Sequence, residues 1–113
     1  MTASLSTHVL DTARGVPARG VPVSLYARDG EQWSLLGSGE TDADGRHRGL
    51  IPAGAALSPG VYRITFDTAA YAEKTGTETF FPEVAIVFEI KDASHHHVPL
   101  LLSPFGYSTY RGS

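Results

Sequence analysis

The chain contains no cysteine. That removes a disulfide framework, a thiolate nucleophile and any zinc site built on thiolates. It also lacks an excess of positive charge: 9 Lys and Arg stand against 12 Asp and Glu, for a formal net charge of −3. Such a surface attracts neither a polyanion nor an anionic bilayer strongly, so neither nucleic acid nor a membrane is an expected partner. No apolar run approaches the ~20 residues of a membrane span. Met1 to Ser6 lack the basic and apolar segments of a signal peptide, and the expected address is cytoplasmic. What is present, 113 residues of which 42% are hydrophobic, amounts to one expected domain over residues 1–113, with one core. A functional site on such a body lies on the surface of the core or between copies of it.

Helix signals are few and strand signals are many. Leu5–Leu10, Val21–Arg28, Trp33–Ser38, Val61–Asp67, Val84–Lys91, His97–Leu102 and Phe105–Arg111 read as strands, with a short extended piece at Arg46–Leu50. Asp29-Gly30 and Asp42-Ala43-Asp44-Gly45 read as turns, and Asp11–Gly20 and Pro52–Pro59 as loops. Thr68–Lys74 suits one or two helical turns. Seven to eight short strands at this spacing predict an all-β fold, a β-sandwich with one short helix.

Strand parity sorts the polar residues. In the first strand Leu5, Thr7 and Val9 share a face, and Ser6, His8 and Leu10 share the other. Near the C-terminus Val98, Leu100 and Leu102 alternate with His97, Pro99 and Leu101. With Leu5/Val9 and Leu100/Leu102 in the core, His8 and His97 project from the outer side of a sheet. Leu10, Pro99 and Leu101 accompany them there, and an apolar outer face predicts an interface between copies.

Imidazole titrates near neutrality, so His8 and His97 suit a general base, or a metal ligand. His95 and His97 lie on one strand face at a spacing that can chelate, with His8 or His47 as a third ligand. Solvated surface histidines are the plainer reading of the same residues. Arg46, just after the Asp42–Gly45 turn, offers a fork of donors for a carbonyl or oxyanion, or is a solvated charge. The Asp42–Gly45 string has the acidic start of a calcium loop but not the rest of its ligand pattern. No nucleophile elbow is present, which argues against a covalent serine hydrolase. Leu100 to Tyr110 is apolar and aromatic almost to the chain end, which predicts a packed final strand delivering Arg111, Gly112 and Ser113 to a defined place.

Three strings, Leu5-Ser6-Thr7-His8-Val9-Leu10-Asp11, Thr41-Asp42-Ala43-Asp44-Gly45-Arg46, and His97-Val98-Pro99-Leu100-Leu101-Leu102-Ser103-Pro104 running on to Tyr107-Ser108-Thr109-Tyr110-Arg111-Gly112-Ser113, carry a resemblance. The chain resembles the enzyme branch of the transthyretin-like family, the 5-hydroxyisourate hydrolases, over essentially its whole length. The terminal Tyr-Arg-Gly-Ser is the specific part. Transthyretins, hormone carriers of the same fold, are similar through Leu-Ser-Pro and Tyr-Ser-Thr and depart after that. A small-ligand carrier is therefore the alternative.

The resemblance implies a transthyretin-like sandwich assembled as a homotetramer, a dimer of dimers with clefts at the dimer–dimer interface. It implies hydrolysis of 5-hydroxyisourate in urate degradation, with no cofactor and no metal. It assigns catalysis to His8, Arg46, His97 and Ser113. Substrate binding falls to His8, Arg46, Tyr110 and Ser113, with the tail of a neighbouring subunit closing the site. Where relatives commonly carry an aromatic residue between the two histidines, this chain has His96, and parity points it away from the cleft.

Overall fold

The strand Pro22–Asp29 (β3) alternates with period two, and its inward side chains Val23 and Leu25 are buried. In a computed structural model, which describes residues 3–51 and 57–112, β3 pairs antiparallel with Gln32–Glu40 (β4) and Gly60–Phe66 (β5). Val84–Ile90 (β6) adds to β5 and completes a sheet of order β4-β3-β5-β6. The second sheet has the order β2-β1-β7-β8, from Ser4–Asp11 (β1), Val16–Pro17 (β2), His95–Ser103 (β7) and Gly106–Thr109 (β8). β1 and β7 run parallel in register from Ser4↔His95 to Asp11↔Leu102. The core lies between the sheets: Val9, Leu100 and Leu102 from one meet Leu25, Ile64, Phe66 and Ile90 from the other. Burying one such side chain contributes about 1.5–3 kcal/mol. The all-β sandwich with a short helix expected from the sequence is the fold observed.

The helix, Thr68–Thr75 (α1), has defined ends. The Asp67 carboxylate accepts the Ala70 N–H at 3.0 Å, and Gly76 closes the C-terminus in the left-handed region. Tyr71 ties α1 to the other sheet, donating its hydroxyl to the Asp11 carboxylate at 2.7 Å. Desolvation, with Asp11 beside it, raises the Tyr71 phenol above its ordinary pKa.

Four expectations are adjusted. The Asp11–Gly20 loop contains β2, which pairs with Leu10 and Asp11. The extended piece at 46–50 is a single bridge, His8↔Arg46, because the Asp42 turn spends its backbone donors on itself. Of the Pro52–Pro59 loop, residues 52–56 lie outside the described residues, while Leu57 is buried and its carbonyl accepts the Ala3 N–H at 2.9 Å. The final strand is not held by buried aromatics: Phe105 and Tyr110 are 71% and 57% exposed. An edge contact of Tyr107 on Phe81 at 5.1 Å and backbone hydrogen bonds hold it instead, and the Gly112 N–H reaches the His97 carbonyl at 2.8 Å.

Candidate active site

The parallel register of β1 and β7 sets the outer face of their sheet. It places Ser6 beside His97 and His8 beside Pro99. On the far side of β7, the pairs Leu100↔Thr109 and His97↔Gly112 keep one register, so Tyr110 stands opposite Pro99. On the free edge of β1, Arg46 pairs with His8. One lateral row of the sheet is therefore Arg46, His8, Pro99, Tyr110. The adjoining row is Ser6, His97, Gly112. His8, Arg46 and His97, named from the sequence, come together on one face.

A turn delivers the arginine. The Asp42 carboxylate accepts the backbone N–H of Asp44 at 2.9 Å and of Arg46 at 3.1 Å. Those donors, the Arg46 N–H above all, hold the Asp42 carboxyl below its ordinary pKa. Gly45 has φ 78°, and a Cβ there would stand 2.4 Å from the Val9 carbonyl oxygen, so the turn can lie this close to β1 only with glycine. Val9 then donates its N–H to the Gly45 carbonyl at 2.8 Å. Among the described residues, no carboxylate stands within ion-pair distance of Arg46. The Asp42 and Asp44 carboxylates both pair with Arg48 instead, at 3.5 and 3.4 Å.

The two histidines are held differently. His8 Nε2 lies 2.8 Å from the Asp44 carbonyl oxygen, which can only accept. Nε2 therefore carries the proton, and in the neutral ring Nδ1 keeps its lone pair. His97 Nδ1 lies 2.7 Å from Ser6 Oγ. Desolvation lowers the His97 pKa from its ordinary 6.5, and the charges of Arg46, His8 and His95 add to the effect. His97 is thus neutral near pH 7, with one ring nitrogen free to accept a proton. Gly112 lies flat against the same ring: a Cβ there would come within 2.5 Å of His97 Cδ2.

Other expected groups fall elsewhere. His96 is buried on the inner face, as parity requires, and donates from Nδ1 to the Ser94 carbonyl at 2.8 Å. His47 packs against Gly39 of β4, and it joins neither His95 nor His97 in a set of three. Among the described residues no group of three His, Cys, Asp or Glu side chains is arranged to hold a metal ion. Pro99 is buried and Leu10 and Leu101 are half-buried, so the outer face exposes less apolar surface than parity alone implies. The lateral neighbours of Pro99, His8 and Tyr110, flank it on both sides. Ser113 lies outside the described residues. A cavity of about 160 Å³ at the free edge of β1 touches Ser6, Thr7, Arg46, His47 and Leu50.

The sequence model of the HIUase/Transthyretin family matches residues 5–112. The chain belongs to the HIUase/Transthyretin family. Within it, the chain is 51% identical over 110 residues to the 5-hydroxyisourate hydrolase of Salmonella typhimurium, covering 96% of this chain and 80% of that one. It is also similar to the solved structure of Klebsiella pneumoniae 5-hydroxyisourate hydrolase, at 41% identity and a TM-score of 0.84 over 98% of this chain and 99% of that one. Sea bream transthyretin in complex with thyroxine gives a TM-score of 0.89 at 33% identity, covering 97% of this chain and 95% of that one. Backbone shape is therefore common to both branches of the HIUase/Transthyretin family, and the side chains on the outer face must distinguish them.

Ser6, Asp42 and Gly112 carry parts of the site that sequence reasoning did not assign. Ser6 was within reach: it shares strand parity with His8.

Proposed function

We propose that this chain hydrolyses 5-hydroxyisourate to 2-oxo-4-hydroxy-4-carboxy-5-ureidoimidazoline, a step of urate degradation, on the outer face of the β2-β1-β7-β8 sheet. The observation that carries the reading is the convergence there of two differently held imidazoles and a guanidinium with no carboxylate partner among the described residues. A carrier pocket for an apolar ligand has no use for three such groups.

The substrate is a planar ring with several carbonyls. Hydrolysis needs a water that loses a proton to a base as its oxygen attacks the carbonyl carbon of the scissile C–N bond, and an oxyanion stabilised as it forms. His97 takes the water proton at Nε2, since its Nδ1 is occupied by Ser6 and its lowered pKa keeps it neutral. Arg46 binds a ring carbonyl and stabilises the developing negative charge. His8, fixed by the Asp44 carbonyl, orients substrate or water through Nδ1. Tyr110 and Ser113 complete the binding set by hydrogen bonding. No cofactor and no metal enters this scheme.

The same reading takes residues 1–113 as one hydrolase domain that works in the cytoplasm as a homotetramer, a dimer of dimers. Each site forms at a dimer–dimer interface, with the tail of a neighbouring subunit helping to close it. Among the described residues no helix is long and apolar enough to cross a membrane.

The test is the ultraviolet decay of freshly generated 5-hydroxyisourate. Wild type accelerates it, and His8→Ala, Arg46→Ala and His97→Ala each lower the rate about tenfold or more while the assembly persists. Wild-type rates in all three variants sink the assignment of the site. No acceleration by wild type sinks the function.

A further inference from the structure

His97 is one end of a longer hydrogen-bonded chain. Ser6 Oγ lies 2.7 Å from His97 Nδ1 and 2.8 Å from His95 Nε2. His95 Nδ1 in turn lies 2.6 Å from Ser4 Oγ. The half-buried imidazole of the site is thereby joined to an exposed imidazole and an exposed hydroxyl. The parallel register builds this chain, since Ser4 stands beside His95 and Ser6 beside His97.

Ser6 has one proton and lies between two ring nitrogens. It donates to one of them, and the other must donate to it. The chain has two neutral polarities. In one, His97 Nδ1–H donates to Ser6, Ser6 to His95 Nε2, and His95 Nδ1–H to Ser4. In the other, every link is reversed. Passing between them moves one proton per link and displaces no heavy atom. Hydrolysis requires such a route. The C–N bond breaks and a C–O bond forms, the leaving nitrogen keeps one proton of the water, and the second is lost when the new carboxyl ionises. One proton must leave the site in each turnover.

We propose that Ser6 and His95 relay that proton from His97 to solvent. It enters at His97 Nε2, while the Nδ1 proton passes to Ser6 Oγ. The Ser6 proton passes to His95 Nε2, and the His95 Nδ1 proton leaves to Ser4 or water. Turning of the Ser6 hydroxyl, with proton exchange between the rings and water, restores the starting polarity. Arg46 stands on the site side of His97 and opposes a positive charge held there, which favours release toward Ser6. Ser6 and His95 act through His97 and are positioning residues, not catalytic ones. The relay rests on the hydrolase reading above.

The test is made in the presence of a chelator, so that metal held by His95 and His97 plays no part. Ser6→Ala lowers kcat about tenfold at low buffer concentration and leaves KM unchanged. Imidazole buffer restores part of the loss, and Ser6→Thr, which keeps the hydroxyl, restores it without added imidazole. His95→Ala behaves as Ser6→Ala does. Nitrogen NMR of the two rings gives a readout without substrate: their titrations are coupled in wild type and independent in Ser6→Ala. Full kcat in Ser6→Ala beside an active wild type overturns the relay and spares the hydrolase. So does a loss of kcat that imidazole does not touch, or a His97 titration unchanged by the mutation. A wild type inert toward 5-hydroxyisourate overturns both readings.

Discussion

Gly112→Ala isolates the contact between the tail and the His97 ring. A Cβ built on Gly112 stands 2.5 Å from His97 Cδ2 and 3.0 Å from both Cβ and Cγ. Carbon atoms in ordinary contact are about 3.5–4.0 Å apart, so the new methyl is about 1 Å too close to the ring. The ring has little freedom to yield, because its Nδ1 is held by Ser6 at 2.7 Å and its backbone lies inside β7. The tail is more easily moved. Its retreat stretches the 2.8 Å bond from the Gly112 N–H to the His97 carbonyl and carries the last residues away from the site. A displacement of about 1 Å in a reacting group costs about a hundredfold in rate. The expected result is therefore a kcat lowered about a hundredfold in the 5-hydroxyisourate decay assay. Global stability changes by less than ~1 kcal/mol, since a chain end can peel back without opening the core. Both are measured on one preparation, the second by chemical denaturation. A variant with wild-type kcat refutes the packing of Gly112 on His97. A variant that unfolds at much lower denaturant refutes the claim that the tail yields first.

Deleting Arg111 to Ser113 abolishes hydrolysis and leaves the melting transition in place, which activity and thermal denaturation of one sample check; an unchanged rate makes the tail dispensable. His97 titrates below 6.5 by NMR in wild type, and Arg46→Ala moves it upward, because the guanidinium opposes a second positive charge. The sign extends to stability: with a folded pKa below the unfolded one, the contribution of His97 is present above pH 6.5 and lost as pH falls through the folded value. Leu100→Ala, at a fully buried position between the sheets, lowers stability by about 2–5 kcal/mol in denaturant titrations without changing the pH profile of the residual activity. Dialysis against a chelator leaves the rate unchanged; its loss, with recovery on adding zinc, shows that a metal is needed.

The sandwich was legible because its strands alternate cleanly, and a period of two fixes which side chain meets the core. Parity also put His8 and His97 on one face before any pairing was known. It could not say that β1 and β7 are neighbours, nor that they run parallel. That long-range fact sets Ser6 beside His97 and His8 beside Pro99, and no local pattern encodes it. Arg46 was found as a residue after a turn. Its place beside His8 depends on a glycine at which a Cβ would stand only 2.4 Å from the Val9 carbonyl oxygen, which is visible only in three dimensions. What holds the tail was less legible for a related reason. Aromatic content suggested burial, but β8 has a sheet partner on one side; Tyr107 packs edge-on against Phe81, while Phe105 and Tyr110 at its ends stand mostly exposed.

That exposure bears on how the site is completed. Tyr110, 57% exposed opposite Pro99, and half-buried Leu101 and Leu10 in the next row leave apolar surface open on the outer face. The polar groups of the site share that side of the molecule. On a single chain they line an open face, where water screens charges and a substrate ring has one wall to rest on. In the proposed tetramer a second copy laid on this face supplies the other wall, removes that apolar surface from water and strengthens each interaction of Arg46 and the histidines with the substrate. The apolar surface and a guanidinium with no carboxylate partner among the described residues are both reasons to propose another subunit on this face. Sedimentation of a Leu101→Glu variant beside its activity tests the link. Dissociation with loss of turnover is the expected result, and full turnover by a monomer refutes it.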